Sequence, residues 1–113
     1  MAQSIALPSF KDSRGILTVI EKILPFAIRR VYYIYETNEL CRAGHRHLTG
    51  QQALICLHKT CIVQVKEDDF SLSSPGQCLI LEPDEWHELR FEPGAILLVL
   101  ASDYYHPDNY IYS

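Results

Sequence analysis

The feature of this chain that most constrains its fold is the short, period-two alternation of its apolar residues. Polar turns, often with glycine or proline, interrupt the alternation. No long stretch has the 3.6-residue apolar period of an amphipathic helix. The predicted strands are Gly15–Glu21, Phe26–Tyr35, Ala43–Leu48, Gln52–His58, Cys61–Lys66, Phe70–Leu72, Gln77–Glu82, Trp86–Phe91 and Ile96–Ser102. The sequence therefore predicts an all-β sandwich, barrel or jelly roll.

Length, charge and hydropathy narrow the class of protein. A chain of 113 residues is predicted to form one domain over residues 1–113. The net charge of −4 argues against a nucleic-acid binder that relies on a basic surface. The longest apolar stretch, Ala95–Ala101, is far too short to span a bilayer, so we expect no membrane partner.

The four cysteines carry no zinc or dithiol motif. Cys41, Cys56, Cys61 and Cys78 include no C-x-x-C pair. Met1–Ser13 lacks the positively charged start and the apolar core of a signal peptide. We therefore expect free thiols in a reducing compartment and a cytoplasmic protein.

The sharpest chemical signal is the H-x-H pair in Gly44-His45-Arg46-His47. Residues i and i+2 of a strand point to the same side, so His45 and His47 should share one face. If that face lines the interior of a barrel, the two imidazoles can exchange protons near neutral pH or bind a metal. Two surface histidines would give the same sequence pattern.

A second motif follows the H-x-H pair, with a glycine at Gly76, a proline at Pro83 and a histidine at His87. Together the two motifs resemble those of the cupin superfamily. Metal sites of that superfamily usually add a glutamate four or five residues after the second histidine, and Gln51 and Gln52 stand there. An amide is a poorer ligand for a divalent cation than a carboxylate. We therefore predict no metal, with the histidines left for acid–base chemistry.

A more specific resemblance extends along nearly the whole chain. Five runs occur in this order: Asp12-Ser13-Arg14-Gly15, Arg29-Arg30-Val31-Tyr32-Tyr33-Ile34-Tyr35, Arg42-Ala43-Gly44-His45-Arg46-His47, Pro83-Asp84-Glu85-Trp86-His87-Glu88 and Val99-Leu100-Ala101-Ser102-Asp103-Tyr104-Tyr105. They are similar to runs in the sugar 3,4-ketoisomerases, or WxcM-like cupins, which are related to the dTDP-sugar epimerase cupins. The resemblance implies a cupin barrel, that is, a jelly roll or double-stranded β-helix.

The resemblance also implies an activity. Members of the sugar 3,4-ketoisomerase family convert a dTDP-linked 4-keto-6-deoxyhexose to the 3-keto isomer. The product is used to make deoxysugars for surface glycans such as lipopolysaccharide. The reaction takes a proton from C3 and returns one at C4 through an enediol, so no redox cofactor is needed. The expected partners are the dTDP-keto-sugar and a second copy of the chain, in a homodimer with exchanged strands.

The resemblance puts His45 and His47 in the active site. We expect His47 to be the principal base and His45 to orient the substrate or relay a proton, although the two roles can be exchanged. Tyr33 and Tyr35 share a strand face, and one of them could donate a hydrogen bond to the migrating oxygen. Aromatic core packing is the competing interpretation for each, and Tyr32, on the opposite face, is assigned to the core.

Substrate binding is assigned to four further residues. Arg14 and Arg42 are candidates for the diphosphate or the sugar, because a guanidinium pairs with phosphate through two hydrogen bonds. His87 is expected to line the pocket, with a structural histidine as the alternative, and Gln52 to add polar lining. Arg46 lies between the two histidines in sequence, so alternation turns it away from their cavity.

Two other functions stay open. A metal-dependent cupin, such as a dioxygenase, would use His45, His47 and His87, with Gln51 as a weak fourth ligand. A non-catalytic module would bind the nucleotide sugar without turnover. Leu48-Thr49-Gly50 stands where relatives often carry basic residues. This difference is compatible with a different substrate, or with a member of the family that has no activity.

Overall fold

Short antiparallel strands account for nearly all of the regular structure. The computed structural model describes residues 1–112, without the side chain of Ala43. The strands are β1 (Gln3–Ala6), β2 (Ser9–Asp12), β3 (Gly15–Thr18), β4 (Arg30–Ile34), β5 (Arg42–His47), β6 (Gln52–His58), β7 (Cys61–Val65), β8 (Asp68–Leu72), β9 (Gln77–Leu81), β10 (His87–Phe91), β11 (Ile96–Ala101) and β12 (Tyr110–Ile111). A turn of 3₁₀ helix, Pro107–Asn109, precedes β12. The described residues include no helix long and apolar enough to span a membrane.

The strands form two five-stranded layers. One sheet has the order β1-β9-β6-β11-β4 and the other the order β12-β5-β10-β7-β8, while β2 and β3 form a separate hairpin. Strands that are neighbours in a sheet are mostly distant in sequence, as in a jelly roll. The predicted all-β jelly-roll class is confirmed.

The central strand β6 is buried on both faces, which explains its nearly continuous apolar sequence. Leu54 and Cys56 face the space between the two sheets, within the larger apolar cluster. Ala53 and Ile55 face outward and are covered by apolar residues of the segment 20–26. Burial of a large apolar side chain such as Leu54 or Ile55 contributes about 1.5–3 kcal/mol of transfer free energy.

The predicted strands were found, with differences at their ends. The strand expected from Phe26 begins at Arg30, and the one expected to reach Glu21 ends at Thr18. The segment between them leaves the ladder because Ile20 and Phe26 pack over the outer face of the first sheet. Strands β1, β2 and β12 were not predicted. They are short, and β1 and β12 pair with strands that are far away in sequence.

The second sheet brings the sequence motifs together. Strand β5 lies between β10 and β12. His87 of β10 stands opposite His45, and Tyr110 of β12 stands opposite His47. Strand β4 is the edge of the facing sheet. These neighbours form the walls of the candidate site.

Candidate active site

Three histidines meet at one end of the space between the sheets. The centroids of the His45 and His47 rings are 4.7 Å apart. The His87 ring lies 4.9 Å from that of His45 and 5.4 Å from that of His47. Alternation along β5 and the pairing of β5 with β10 produce this cluster, and the prediction that His45 and His47 share a face is confirmed.

Two backbone irregularities lie beside the cluster. Gly44, just before His45, has a φ of +67°, which a residue with a side chain adopts only with strain. A Cβ there would lie 4.0 Å from the Trp86 ring, an ordinary contact, so the backbone angle and not a lack of space favours glycine. In β10 the register shifts between His87 and Glu88. Such bulges redirect side chains and are frequent next to active sites.

Hydrogen bonds constrain the protons of the three rings. Nε2 of His45 lies 3.0 Å from Nε2 of His47, so one nitrogen donates and the other accepts. A proton can therefore pass between these rings. Nδ1 of His87 lies 3.0 Å from the carbonyl oxygen of Glu85. Because a carbonyl only accepts, Nδ1 carries the hydrogen, and the neutral ring keeps Nε2 as an acceptor.

Burial keeps two of these imidazoles neutral at physiological pH. His47 is only 7% exposed, and its burial, followed by the nearby His45, His87 and Arg30, lowers its pKa to about 4. Burial also lowers the pKa of His87. A neutral imidazole can accept a proton, so both rings have the protonation state that a general base requires.

The cluster opens on a cavity of about 390 Å³, within the usual size range for small-molecule sites. Apolar residues of the core, Leu54, Leu89 and Val99, form part of its wall. Apart from Ile34, the remaining wall is polar or aromatic and consists of Arg30, Tyr32, Tyr33, Arg42, His45, Gln52, His87, Tyr110 and Tyr112. The predicted residues His45, His87, Arg42, Gln52 and Tyr33 are thus brought to one cavity.

The inward face of β4 carries Arg30 and Tyr32, which sequence reasoning did not place in the site. The Arg30 guanidinium lies 4.4 Å from the centroid of the Tyr32 ring, and Gln52 donates a hydrogen bond to the Tyr32 hydroxyl over 3.4 Å. Burial raises the pKa of Tyr32. The assignment of Tyr32 to the core alone therefore needs correction. Tyr33 is 62% exposed but contributes to the wall, whereas the exposed Tyr35 lies outside it.

The C-terminal strand β12 adds Tyr110 to the cluster. Its ring centroid lies 4.9 Å from that of His45 and 4.7 Å from that of His47. Nη1 of Arg30 donates a hydrogen bond to the Tyr110 hydroxyl over 3.0 Å. The tail is rich in tyrosine, but this composition does not predict the contact of Tyr110 with the histidines.

Comparisons with known proteins show the family of the chain. The family model described as "FdtA: WxcM-like, C-terminal" matches residues 1–113. The chain belongs to this family. It is 42% identical over 108 residues to the TDP-4-oxo-6-deoxy-alpha-D-glucose-3,4-oxoisomerase of Aneurinibacillus thermoaerophilus, a match that covers 88% of this chain and 78% of that protein.

Solved structures of several 3,4-ketoisomerases superpose closely on the chain. A 3,4-ketoisomerase from Helicobacter canadensis gives a TM-score of 0.95 at 34% identity, covering 99% of this chain and 90% of that one. The 3,4-ketoisomerase QdtA of Thermoanaerobacterium thermosaccharolyticum gives 0.90 at 35% identity, covering 99% and 87%. That structure is a histidine-to-asparagine variant in complex with TDP-4-keto-6-deoxyglucose.

Two arginines of this WxcM-like chain point away from the cavity. Arg14 lies at the exposed end of the β2–β3 hairpin and donates a 2.6 Å hydrogen bond to Asp12. It is outside the wall of the cavity in the described chain, and its role in substrate binding stays a prediction. Arg46 pairs with Asp84, in agreement with the prediction that it turns away from the histidines.

The three histidines could also offer nitrogens to a metal ion, since these atoms lie within 4.8 Å of one another. Among the described residues, no carboxylate joins this group. The amide of Gln51, at the position of the usual glutamate, donates to both carboxylate oxygens of Glu82 over 3.0 Å. Three histidines without a carboxylate are therefore better suited to proton transfer than to the metal binding of a usual cupin site.

Proposed function

We propose that this chain moves the ketone of a TDP-4-keto-6-deoxyhexose from C4 to C3. The observation that carries the proposal is the contact of three histidines, of which His47 and His87 have a lowered pKa, and of which His45 and His87 line the cavity. Relatives that carry the name of 3,4-oxoisomerase or 3,4-ketoisomerase support this reaction over metal-dependent oxidation.

The reaction needs a base for the hydrogen on C3 and a group that returns a proton to C4. Neutral His47 is the proposed base. The 3.0 Å contact between the Nε2 atoms of His45 and His47 gives the abstracted proton a path between the two rings. His87 offers an acceptor nitrogen, Nε2, to the cluster, and its ring forms part of the cavity wall. No redox cofactor takes part, because the substrate is both oxidised at C3 and reduced at C4.

The cavity supplies groups for the rest of the substrate. Arg42 is the proposed partner of the diphosphate, since its guanidinium is fixed in charge and geometry. Gln52 and Tyr33 are proposed to hydrogen-bond the sugar. A cavity of about 390 Å³ admits the sugar and part of the diphosphate, so the nucleoside base would lie toward the opening.

We further propose a homodimer that uses the β2–β3 hairpin. Phe10 and Leu17 are paired across the hairpin, and their side chains are exposed beyond the two main sheets. Neighbouring apolar side chains exposed to water favour a protein partner. If the β2–β3 hairpin docks on a second copy of the chain, Arg14 at the end of the hairpin would lie against that second copy. Sedimentation of the Leu17→Glu variant should report a monomer, with the Lys11→Glu variant as a dimeric control. A Leu17→Glu dimer would contradict the assignment.

The test of the reaction is proton NMR of chelator-treated protein with TDP-4-keto-6-deoxyglucose in deuterated buffer. A 3-keto sugar with deuterium at C4 is expected. An unchanged spectrum with folded protein contradicts the proposal, and saturation transfer to the nucleotide would then favour a binding module. Because the substrate is a nucleotide sugar and the cysteines are free thiols, we propose a cytoplasmic enzyme of deoxysugar synthesis.

A further inference from the structure

Two buried cysteines meet at the end of the sandwich that lies away from the histidines. Cys56 belongs to β6 of the first sheet, and Cys61 begins β7 of the second sheet after a short turn. Both side chains are completely buried in the larger apolar cluster. Cys61 stands opposite Phe91, which is about 13 Å along β10 from His87. The pair is therefore separate from the proposed site of proton transfer.

The two sulfur atoms are already close to the distance of a covalent bond. Sγ of Cys56 lies 2.7 Å from Sγ of Cys61. A disulfide has an S–S distance of about 2.05 Å, so the sulfurs need to approach by less than about 1 Å. Within the described residues, no third histidine, cysteine or carboxylate joins the pair as a metal ligand. A structural zinc site needs four ligands, so disulfide formation is the chemistry that fits this pair.

The turn between β6 and β7 covers the sulfurs. Sγ of Cys56 lies 3.3 Å from the carbonyl oxygen of His58 and 3.4 Å from that of Lys59. Both of these turn residues are exposed, and Lys59 has a φ of +60°, in the left-handed region that favours glycine. A short exposed turn opens at a lower free energy than the strands of a core. Local opening of this turn gives a small oxidant access to the pair.

The contact between the two thiols makes them chemically different. The hydrogen bond from Cys61 lowers the pKa of Cys56, and the same hydrogen bond, followed by burial, raises the pKa of Cys61. The thiolate is the nucleophilic form of cysteine. Cys56 is therefore the thiol that reacts first, and Cys61 stands within reach to react second.

We infer that Cys56 and Cys61 form a reversible disulfide on exposure to hydrogen peroxide, and that this bond joins the two sheets. The Cys56 sulfur attacks one peroxide oxygen, the O–O bond breaks, and the other oxygen leaves as water with the proton that Cys56 has lost. The Cys61 sulfur then attacks the sulfenic acid on Cys56, and the S–O bond breaks. The hydroxyl leaves as a second water with the Cys61 proton. The two thiols are oxidised and the peroxide is reduced.

The first test is peptide mapping of the whole protein after treatment with hydrogen peroxide. Remaining thiols are labelled with a maleimide in denaturant, and the peptides are identified by mass spectrometry. We expect a peptide pair that is linked through Cys56 and Cys61, lacks two hydrogens and separates on treatment with dithiothreitol. The exposed Cys41 reports that the peroxide has reacted, and the buried Cys78 is the control that should keep its label. Oxidised Cys41 beside fully labelled Cys56 and Cys61 would overturn the inference.

Variants separate the pair from the other thiols. The Cys61→Ser variant should give no linked peptide and should leave Cys56 as a sulfenic or higher acid. The Cys78→Ser variant, which also changes a buried thiol, should form the linked peptide as wild type does. A Cys56 link to Cys78 or Cys41 in wild type would contradict the assignment of the partner. Circular dichroism establishes that each variant is folded, and the wild-type map stands without them.

The second test concerns the connection between the sheets. A bond between β6 and β7 restricts the unfolded chain, so the oxidised protein should unfold at least about 4 °C above the reduced protein. Dithiothreitol should return the midpoint to its original value, and peroxide should not raise the midpoint of Cys61→Ser. A linked protein whose midpoint is unchanged or lower would show that the bond does not stabilise the sandwich and would overturn that part of the inference.

Discussion

Acid should destabilise this protein through His47, and the His47→Asn variant should lose part of that sensitivity. The ordinary pKa of a histidine in the unfolded chain is 6.5, and burial lowers that of folded His47 to about 4. Between these values the unfolded state binds a proton that the folded state does not. The contribution of neutral His47 to the free energy of unfolding is therefore fully present above pH 6.5 and is lost as the pH falls toward 4.

The magnitude follows from the same two values. Each unit of pKa difference corresponds to about 1.4 kcal/mol, so the loss approaches about 3 kcal/mol below pH 4 and is about 2 kcal/mol at pH 5. The free energy of unfolding falls by roughly 2 kcal/mol per molar urea for a domain of this size, so the loss at pH 5 lowers the unfolding midpoint by about 1 M.

The assay is urea unfolding of three proteins at about pH 7.5 and about pH 5. Wild type should lose about 2 kcal/mol more between the two conditions than the His47→Asn variant. Any void left by asparagine costs the same at both pH values and cancels in the comparison, as do the carboxylates of the chain. The exposed His58, changed to asparagine, is the matched control and should behave as wild type. Equal losses in wild type and His47→Asn would refute the argument that burial keeps this imidazole neutral.

Further predictions concern the site and the core. Because the pKa of His47 is about 4, kcat/KM should hold its neutral-pH value down to about pH 5 if His47 is the base, and an acid limb centred near pH 6.5 would contradict this. Protein treated with a chelator should keep its turnover, and loss that added Fe²⁺ or Zn²⁺ restores would contradict proton transfer by free histidines. The Leu54→Ala variant should lower the unfolding free energy by about 2–5 kcal/mol, because Leu54 is buried in the core. The half-exposed Leu57 on the same strand, changed to alanine, should cost less than about 1 kcal/mol, and equal costs would contradict the core assignment.

The sequence predicts the site best where a motif fixes the face of a strand. In β5 the H-x-H motif puts His45 and His47 on one face and Arg46 on the other, and the structure places them so. In β4, Tyr32 and Tyr33 are both aromatic, so composition does not distinguish the inward face from the outward one. A shift of one residue exchanges the faces of a strand. Because of this ambiguity, the sequence assigns Tyr33 and Tyr35 to the site and Tyr32 to the core.

Contacts made by chain segments far apart in sequence could not be predicted. Tyr110 meets the histidines only because β12 pairs with β5, and two residues carry too little pattern to indicate a strand. Arg30 reaches Tyr110 from the facing sheet across 80 residues of sequence. The aromatic tail was a signal that the segment packs, but its partner depends on how the two sheets close.

The position of the cavity links catalysis to folding. Leu54, Leu89 and Val99 belong both to the apolar core and to the cavity wall, so the wall that carries His45 and His87 is continuous with the core. This support fixes the rings in place and excludes the water that would otherwise stabilise their charged forms. The penalty for protonating His47 in acid is therefore the consequence of the same burial that leaves it ready to accept a proton at neutral pH. A variant that opens the core beneath the rings, such as Leu54→Ala, should thus raise the pKa of His47 as well as lower stability.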